Sequence, residues 1–188
     1  MQLYRPLARL LICVLVLGGS AHAEGVGERL AAPTAIDADE WLEQPDPQRP
    51  ATRLWKRKSN DREHLRIEVL TGSPDGVAEV RRTLDGPGKA SCAVFDTTTI
   101  RDSSLNGYPR LLWRTDCERE DGSRSTLLNL AVRGREHLFL ALRSWPARVP
   151  EEEIAPWIER FERFMVCDDR SPRQACPAGF VPLSPASQ

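Results

Sequence analysis

Long apolar runs are scarce in this 188-residue chain. The run from Leu10 to Leu17 is too short for a spanning helix, which needs about 20 predominantly apolar residues. Net charge is almost absent as well. The 26 basic and 27 acidic side chains cancel, leaving no global field to draw in nucleic acid or an anionic membrane. No C-x-x-C pair occurs, which excludes a thioredoxin-type redox site. No G-x-S-x-G occurs, so there is no nucleophile elbow. EF-hand spacing is missing, and the Gly25 to Glu28 stretch has no strand before it to make a phosphate loop. These absences leave no cofactor and no metal to expect.

What is present begins with an address. Arg5 and Arg9 precede the apolar run, and Ala21 and Ala23 follow it as an A-x-A pattern. Together they form the three parts of a secretory signal, with cleavage predicted after Ala23. Cys13 raises a lipid-attachment alternative, disfavoured because Ile12 before it is large and the cysteine lies inside the apolar run. The predicted mature chain has no transmembrane segment and is long enough for one domain with its own core. Arginine outnumbers lysine 23 to 3, a bias of GC-rich bacterial genomes. The expected location is the periplasm or the medium.

Four cysteines remain in that mature chain, Cys92, Cys117, Cys167 and Cys176. An even number in an oxidising compartment predicts disulfides. Three pairings are open, and the sequence ranks them. Two β-rich runs, "CAVFDTTTI" and "YPRLLWRTDC", flank the turn-forming "RDSSLNG", so a hairpin would make Cys92 and Cys117 near cross-strand neighbours. Cys167 and Cys176 would then close a short ring. Loop-closure entropy is worth roughly 3.5 kcal/mol for the larger ring and roughly 2.7 for the smaller.

Residues 24–50, rich in alanine, proline and acids, read as an extended lead-in, and 177–188 as a loose tail. Between them, 51–176 reads as a single domain. Leu65, Ile67 and Val69 alternate on one strand face. A short helix follows, with Ser73 as N-cap, Pro74 at its first position and Asp85-Gly86-Pro87-Gly88 as its stop. After the hairpin, Asp121-Gly122 and Gly134 mark turns between further strands. The last periodic stretch places Ile154, Trp157, Ile158, Phe161, Phe164 and Met165 on one helical stripe, behind the glutamates 151–153. The expected fold is α+β, an antiparallel sheet of about five strands. A short helix follows the first strand, and a C-terminal amphipathic helix packs on one face.

From His64 to Cys167 this layout resembles the Mog1/PsbP-like family of small exported or luminal domains. The resemblance rests on the helix after the first strand, the step "NGYPRLLWR" from Asn106 to Arg114, and a closing helix ending in "FERFMV". The four cysteines depart from that family's usual pattern, and an uncharacterised exported proteobacterial family sharing the architecture is the other candidate. The resemblance implies a binding or accessory role without catalytic residues.

Residues able to carry function are few. The basic segment from Arg53 to Arg62 contains Trp55, Lys56, Arg57 and Lys58, a candidate surface for an anionic partner. Its structural alternative is a charged edge strand with Trp55 packed inward. His64 and His137 each begin a predicted strand and would have to meet in one cleft, beside a carboxylate, to serve a hydrolase or lyase. Asp168 and Asp169 are expected to pair with Arg170. The chain is thus expected to be a monomeric, non-enzymatic domain acting by protein or envelope contact, as an accessory, inhibitor or immunity-type protein, with a small periplasmic hydrolase or lyase using His64 or His137 as the alternative.

Overall fold

The computed structural model describes residues 27–45, 47–71 and 76–185. The signal segment, the Cys13 question and the Ser73-Pro74 helix start lie outside those residues. The order is β1 (Glu28–Ala32), β2 (Trp41–Pro45), β3 (Thr52–Arg57), β4 (Asn60–Thr71), α1 (Val77–Ser91), β5 (Val94–Leu105), β6 (Tyr108–Glu118), β7 (Arg124–Arg133), β8 (His137–Trp145), α2 (Glu151–Glu162), β9 (Met165–Asp168) and β10 (Val181–Pro182). Seven strands form one sheet in the order β2-β3-β4-β8-β7-β6-β5, all antiparallel. Three more form a second sheet, β10-β1-β9.

The class is α+β, but two sheets replace the expected five strands. The lead-in contributes β1 and β2, and the tail contributes β10, with Leu183 and Ser184 buried. Shortness hid these strands: β2 and β10 are edge strands, and β1, central in the small sheet, is only five residues long, so each gains from its neighbours rather than from a period of its own. The first helix therefore follows the fourth strand, and the second is not C-terminal.

The two helices cover opposite faces of the large sheet. On one face α2 brings Ile154, Trp157, Ile158 and Phe161 to Leu65, Ile67, Leu112, Leu128, Leu130 and Phe139. The small sheet adds Leu30, Val166 and Leu183 to this same core. On the other face α1 sets Val77, Val80 and Leu84 against Leu111, Trp113, Ala131, Leu138 and Leu140. Strands β7 and β8 are covered on both faces at their centres, which is why "TLLNLAV" and "LFLALRSW" run nearly unbroken in apolar residues. The helical stripe was legible up to Phe161. Phe164 and Met165 leave it, since α2 ends at Glu162: Phe164 is still buried in the same core, and Met165 pairs with Ala31 as part of β9.

Two local expectations need correction. The stop at Asp85-Gly86-Pro87-Gly88 lies inside α1, which runs on to Ser91. Asp85 anchors the helix to the sheet from within. Gly88 lets it sit close, since a Cβ there would lie 2.3 Å from the Phe95 ring. The predicted loop "RDSSLNG" shrinks to Asn106-Gly107, whose φ values of 56° and 80° suit a tight two-residue hairpin turn. Residues Arg101 to Leu105 belong to β5, whose register shifts by one residue between Thr99 and Arg101.

The head of β1 is fixed by a buried carboxylate. Glu28 accepts the backbone N–H groups of Arg135, Glu136 and His137 at 2.6, 3.0 and 3.4 Å, in the turn between β7 and β8. A side chain at Gly134 would strike that carboxylate at 2.4 Å. Glycine is what lets the turn wrap it.

Candidate functional site

Helix α1 packs on β5, β6 and β7, leaving the β2–β3–β4 part of its face without a helix. Alternation along the strands decides what shows there. Leu42, Lys56, His64 and Ser144 form one cross-strand row, and Gln44, Leu54, Arg66 and Leu142 the next. Leu42 is 54% exposed, one of two large apolar side chains so exposed among the described residues. Lys56 and Arg66 are half-buried beside it, and Lys58 stands exposed at the β3–β4 turn. Glu68 partly offsets Arg66 at 3.6 Å. Burial, reinforced by the nearby cations Arg66, Arg143 and Lys56, lowers the His64 pKa against the opposing backbone contact at Arg62. The surface thus sets an exposed leucine on the edge strand beside cations on β3 and β4.

Behind this surface the same strands are held by a caged cation. Arg143 of β8 is 1% exposed, and its guanidinium carbon lies 4.3 Å from the ring centre of Trp145, 4.7 Å from Trp41 and 5.2 Å from Trp157. It donates to the Ser144 carbonyl at 2.5 Å and pairs with Glu63, which Arg57 also reaches at 3.1 Å. Burial pushes the Arg143 pKa down to about 10, with Glu63 opposing it, so the cation persists at neutral pH. Each desolvated cation–aromatic contact is worth up to about 2 kcal/mol. The cage therefore ties β2, β4, β8 and α2 into one rigid support.

The four residues singled out from the sequence divide between front and back. Trp55 is buried, with Arg53 stacked on it at 4.7 Å, and Arg57 is engaged with Glu63. Lys56 and Lys58 remain on the accessible side. Leu42, Leu54 and Arg66 were not anticipated. β2 and β3 lacked a recognisable period, Arg66 lies on the polar face of the recognised alternation in β4, and only the pairing of β2 with β3 brings Leu42 beside Lys56.

Other candidates are scattered. His64 pairs with Ser144 and His137 with Thr71, at opposite ends of the β4–β8 ladder. Seven residues of strand separate them, about 23 Å. Among the described residues no cluster of three or more His, Cys, Asp or Glu side chains is arranged to hold a metal ion. Asp168 is buried and bonds Arg170 through the backbone N–H at 3.0 Å and Nε at 2.9 Å, while Asp169 pairs with Arg29. Hydrogen bonds from Arg170 are the main cause that holds the Asp168 carboxyl below the usual range. Disulfides join Cys92 to Cys117 and Cys167 to Cys176, with Cα separations of 5.6 and 5.0 Å. Cys92 is not in a strand. It caps α1, and Phe95 takes the place opposite Cys117.

No protein-family model matches this chain. No curated protein matches it either. Among solved structures it is similar to the cyanobacterial PsbP (CyanoP) of Synechocystis sp. PCC 6803, at 11% identity over 80% of this chain and 98% of that one, with a TM-score of 0.48. It is similar to the Saccharomyces cerevisiae Ran-binding protein Mog1p at 7% identity, over 70% and 88% of the two chains, with a TM-score of 0.47. LpqN of Mycobacterium tuberculosis, described as involved in cell envelope biogenesis, matches at 13% identity over 77% and 87%, with a TM-score of 0.45. Both names in the Mog1/PsbP-like resemblance are thus among the folds this chain is similar to.

Proposed function

We propose that this protein is an exported, disulfide-bonded domain that acts by contact, docking the uncovered β2–β3–β4 surface on an acidic face of a partner protein in the cell envelope. The carrying observation is the exposed Leu42 set among Lys56, Lys58 and Arg66 on strands that no helix covers. An apolar anchor on the edge strand beside a row of cations suits a recognition surface, with the leucine buried by the partner and charge selecting it. The rigid Arg143 cage behind it supports the reading, since a preformed surface loses little conformational freedom on binding. The two disulfides suit an oxidising compartment.

The test is photocrosslinking in intact cells with benzoylphenylalanine at Leu42, compared with the same residue at Val94 on the far edge strand. A discrete protein adduct from Leu42 alone, lost in the Lys56→Glu/Arg66→Glu variant, is expected. Adducts to lipid or glycan would replace the protein partner with another envelope component. Equal labelling from both positions, or labelling indifferent to the charge reversal, would overturn the proposal.

A further inference from the structure

Beneath the second half of α1 the helix and sheet form a pocket of about 270 Å³ that opens to solvent. Its apolar lining includes Leu84 from the helix, Phe95 from β5, Leu127 from β7 and Leu142 from β8. A dry apolar cavity of about 150 Å³ accommodates benzene, so this one has room for a substituted ring. Size and lining alone would make it an ordinary packing flaw. Asn129 makes it something else.

Asn129 lies in the middle of β7, opposite Trp113 on one side and Leu142 on the other. It is 3% exposed, and it lines the pocket. Among the described residues its carboxamide makes no side-chain hydrogen bond, although its neighbours do. Trp113 Nε1 and Thr115 Oγ1 both donate to Asp85, at 3.2 and 3.4 Å. The amide is not sealed in protein: it faces the open pocket, where water or a ligand supplies its hydrogen bonds, and a leucine there would simply continue the apolar run of β7. The mouth of the pocket carries the exposed Arg119, which selects against cationic ligands.

We infer that this pocket binds a small neutral or anionic ring compound bearing a carboxamide-like donor and acceptor. The ring lies among Leu84, Phe95, Leu127 and Leu142, and its polar group pairs with the Asn129 carboxamide. Nothing in this inference depends on the partner surface of β2–β4, and either proposal stands if the other falls.

Titration of the 15N-labelled full-length protein with benzamide tests it, with toluene and acetamide as probes carrying only the ring or only the amide. Benzamide is expected to move the Asn129 side-chain NH2 resonances and the backbone amides of Leu127 and Leu142. Asn129→Leu should weaken benzamide binding about tenfold, the worth of one buried hydrogen-bonded pair, while toluene binding changes less than about twofold. Should that variant not fold, Ser125→Trp at the half-buried rim keeps the test decisive, because blocking the mouth should abolish the benzamide shifts. Shifts that map elsewhere, no shifts with the wild-type protein, or equal benzamide binding in a folded variant would overturn the inference.

Discussion

Each face of the large sheet buries one charged side chain against tryptophan, and the two solve the problem differently. On the α2 face Arg143 is a cation among the rings of Trp41, Trp145 and Trp157, with Glu63 as its carboxylate. On the α1 face Asp85 is an anion that receives directed bonds from Trp113 Nε1, Thr115, Thr97 and Arg81. Ring faces hold a cation over a broad range of positions, whereas a carboxylate needs its donors aimed. The cage can therefore join elements distant in sequence, and the anion instead fixes the pose of one helix. The difference also matches the helices themselves. Each helix carries one interior proline, Pro156 in α2 and Pro87 in α1, but α2 has a strong apolar stripe whereas α1 flanks its proline with Gly86 and Gly88.

The sharpest way to break this comparison is Arg143→Ala. It empties the cage and strips Glu63 of one partner, with an expected loss of about 4 kcal/mol measured by denaturant unfolding. Tryptophan fluorescence should shift to the red while the amides of α1 keep their exchange protection. Removing the Cys92–Cys117 disulfide by double alanine substitution should cost about 3 kcal/mol and do the reverse. Hydrogen exchange should rise in 85–91 first, because that weak end of α1 is tied there, and a uniform rise over both helices would refute the assignment. Asp85→Asn is expected to cost about 2 kcal/mol, since it turns one acceptor oxygen into a donor facing other donors.

The smallest effect concerns acid. Burial raises the Glu63 pKa, but the hydrogen bonds and charges of Arg143 and Arg57 outweigh it and hold the carboxyl below its usual value. A carboxyl depressed in the folded state contributes fully above the unfolded pKa, about 4.3, and its contribution is lost as pH falls through the folded value. Melting temperature should therefore decline more steeply below about pH 4 in the wild type than in Glu63→Gln. Parallel acid limbs would separate Glu63 from the cage.

The same contrast explains what could be read before the structure. Leu65, Ile67 and Val69, and the stripe from Ile154 to Phe161, announce themselves because each lies in a continuous period set by one buried face. Arg143 does not, since a single arginine in "LRSW" looks like the solvated step of an alternating strand. Its three tryptophans are brought together only by tertiary packing, 12 to 116 residues apart along the chain. The helix stop at Gly86-Pro87 misled for a related reason. Local propensity opposes the helix, and Asp85, Gly88 and the disulfide act against it from outside the segment. Of the contact surface, Lys56 and Lys58 were visible as a charge concentration. Leu42 was not, because its strand is recognisable only beside β3. Asn129 looked like an ordinary polar residue until both of its cross-strand neighbours were known.

The buried Glu28 at the head of β1 has a consequence for the order of events. Glu28 pairs with Asp168 across the small sheet, so the first strand to leave the ribosome must wait for a partner made 140 residues later. The turn at 135–137 that receives its carboxylate is also late. The large sheet can assemble meanwhile from neighbours in sequence, such as β3 with β4 and β5 with β6. Closure of β1 between β9 and β10, the pairing of greatest sequence separation, is therefore expected to form late. A chain truncated before β9 would keep most of its core and still leave its front end open, a built-in marker of incomplete synthesis.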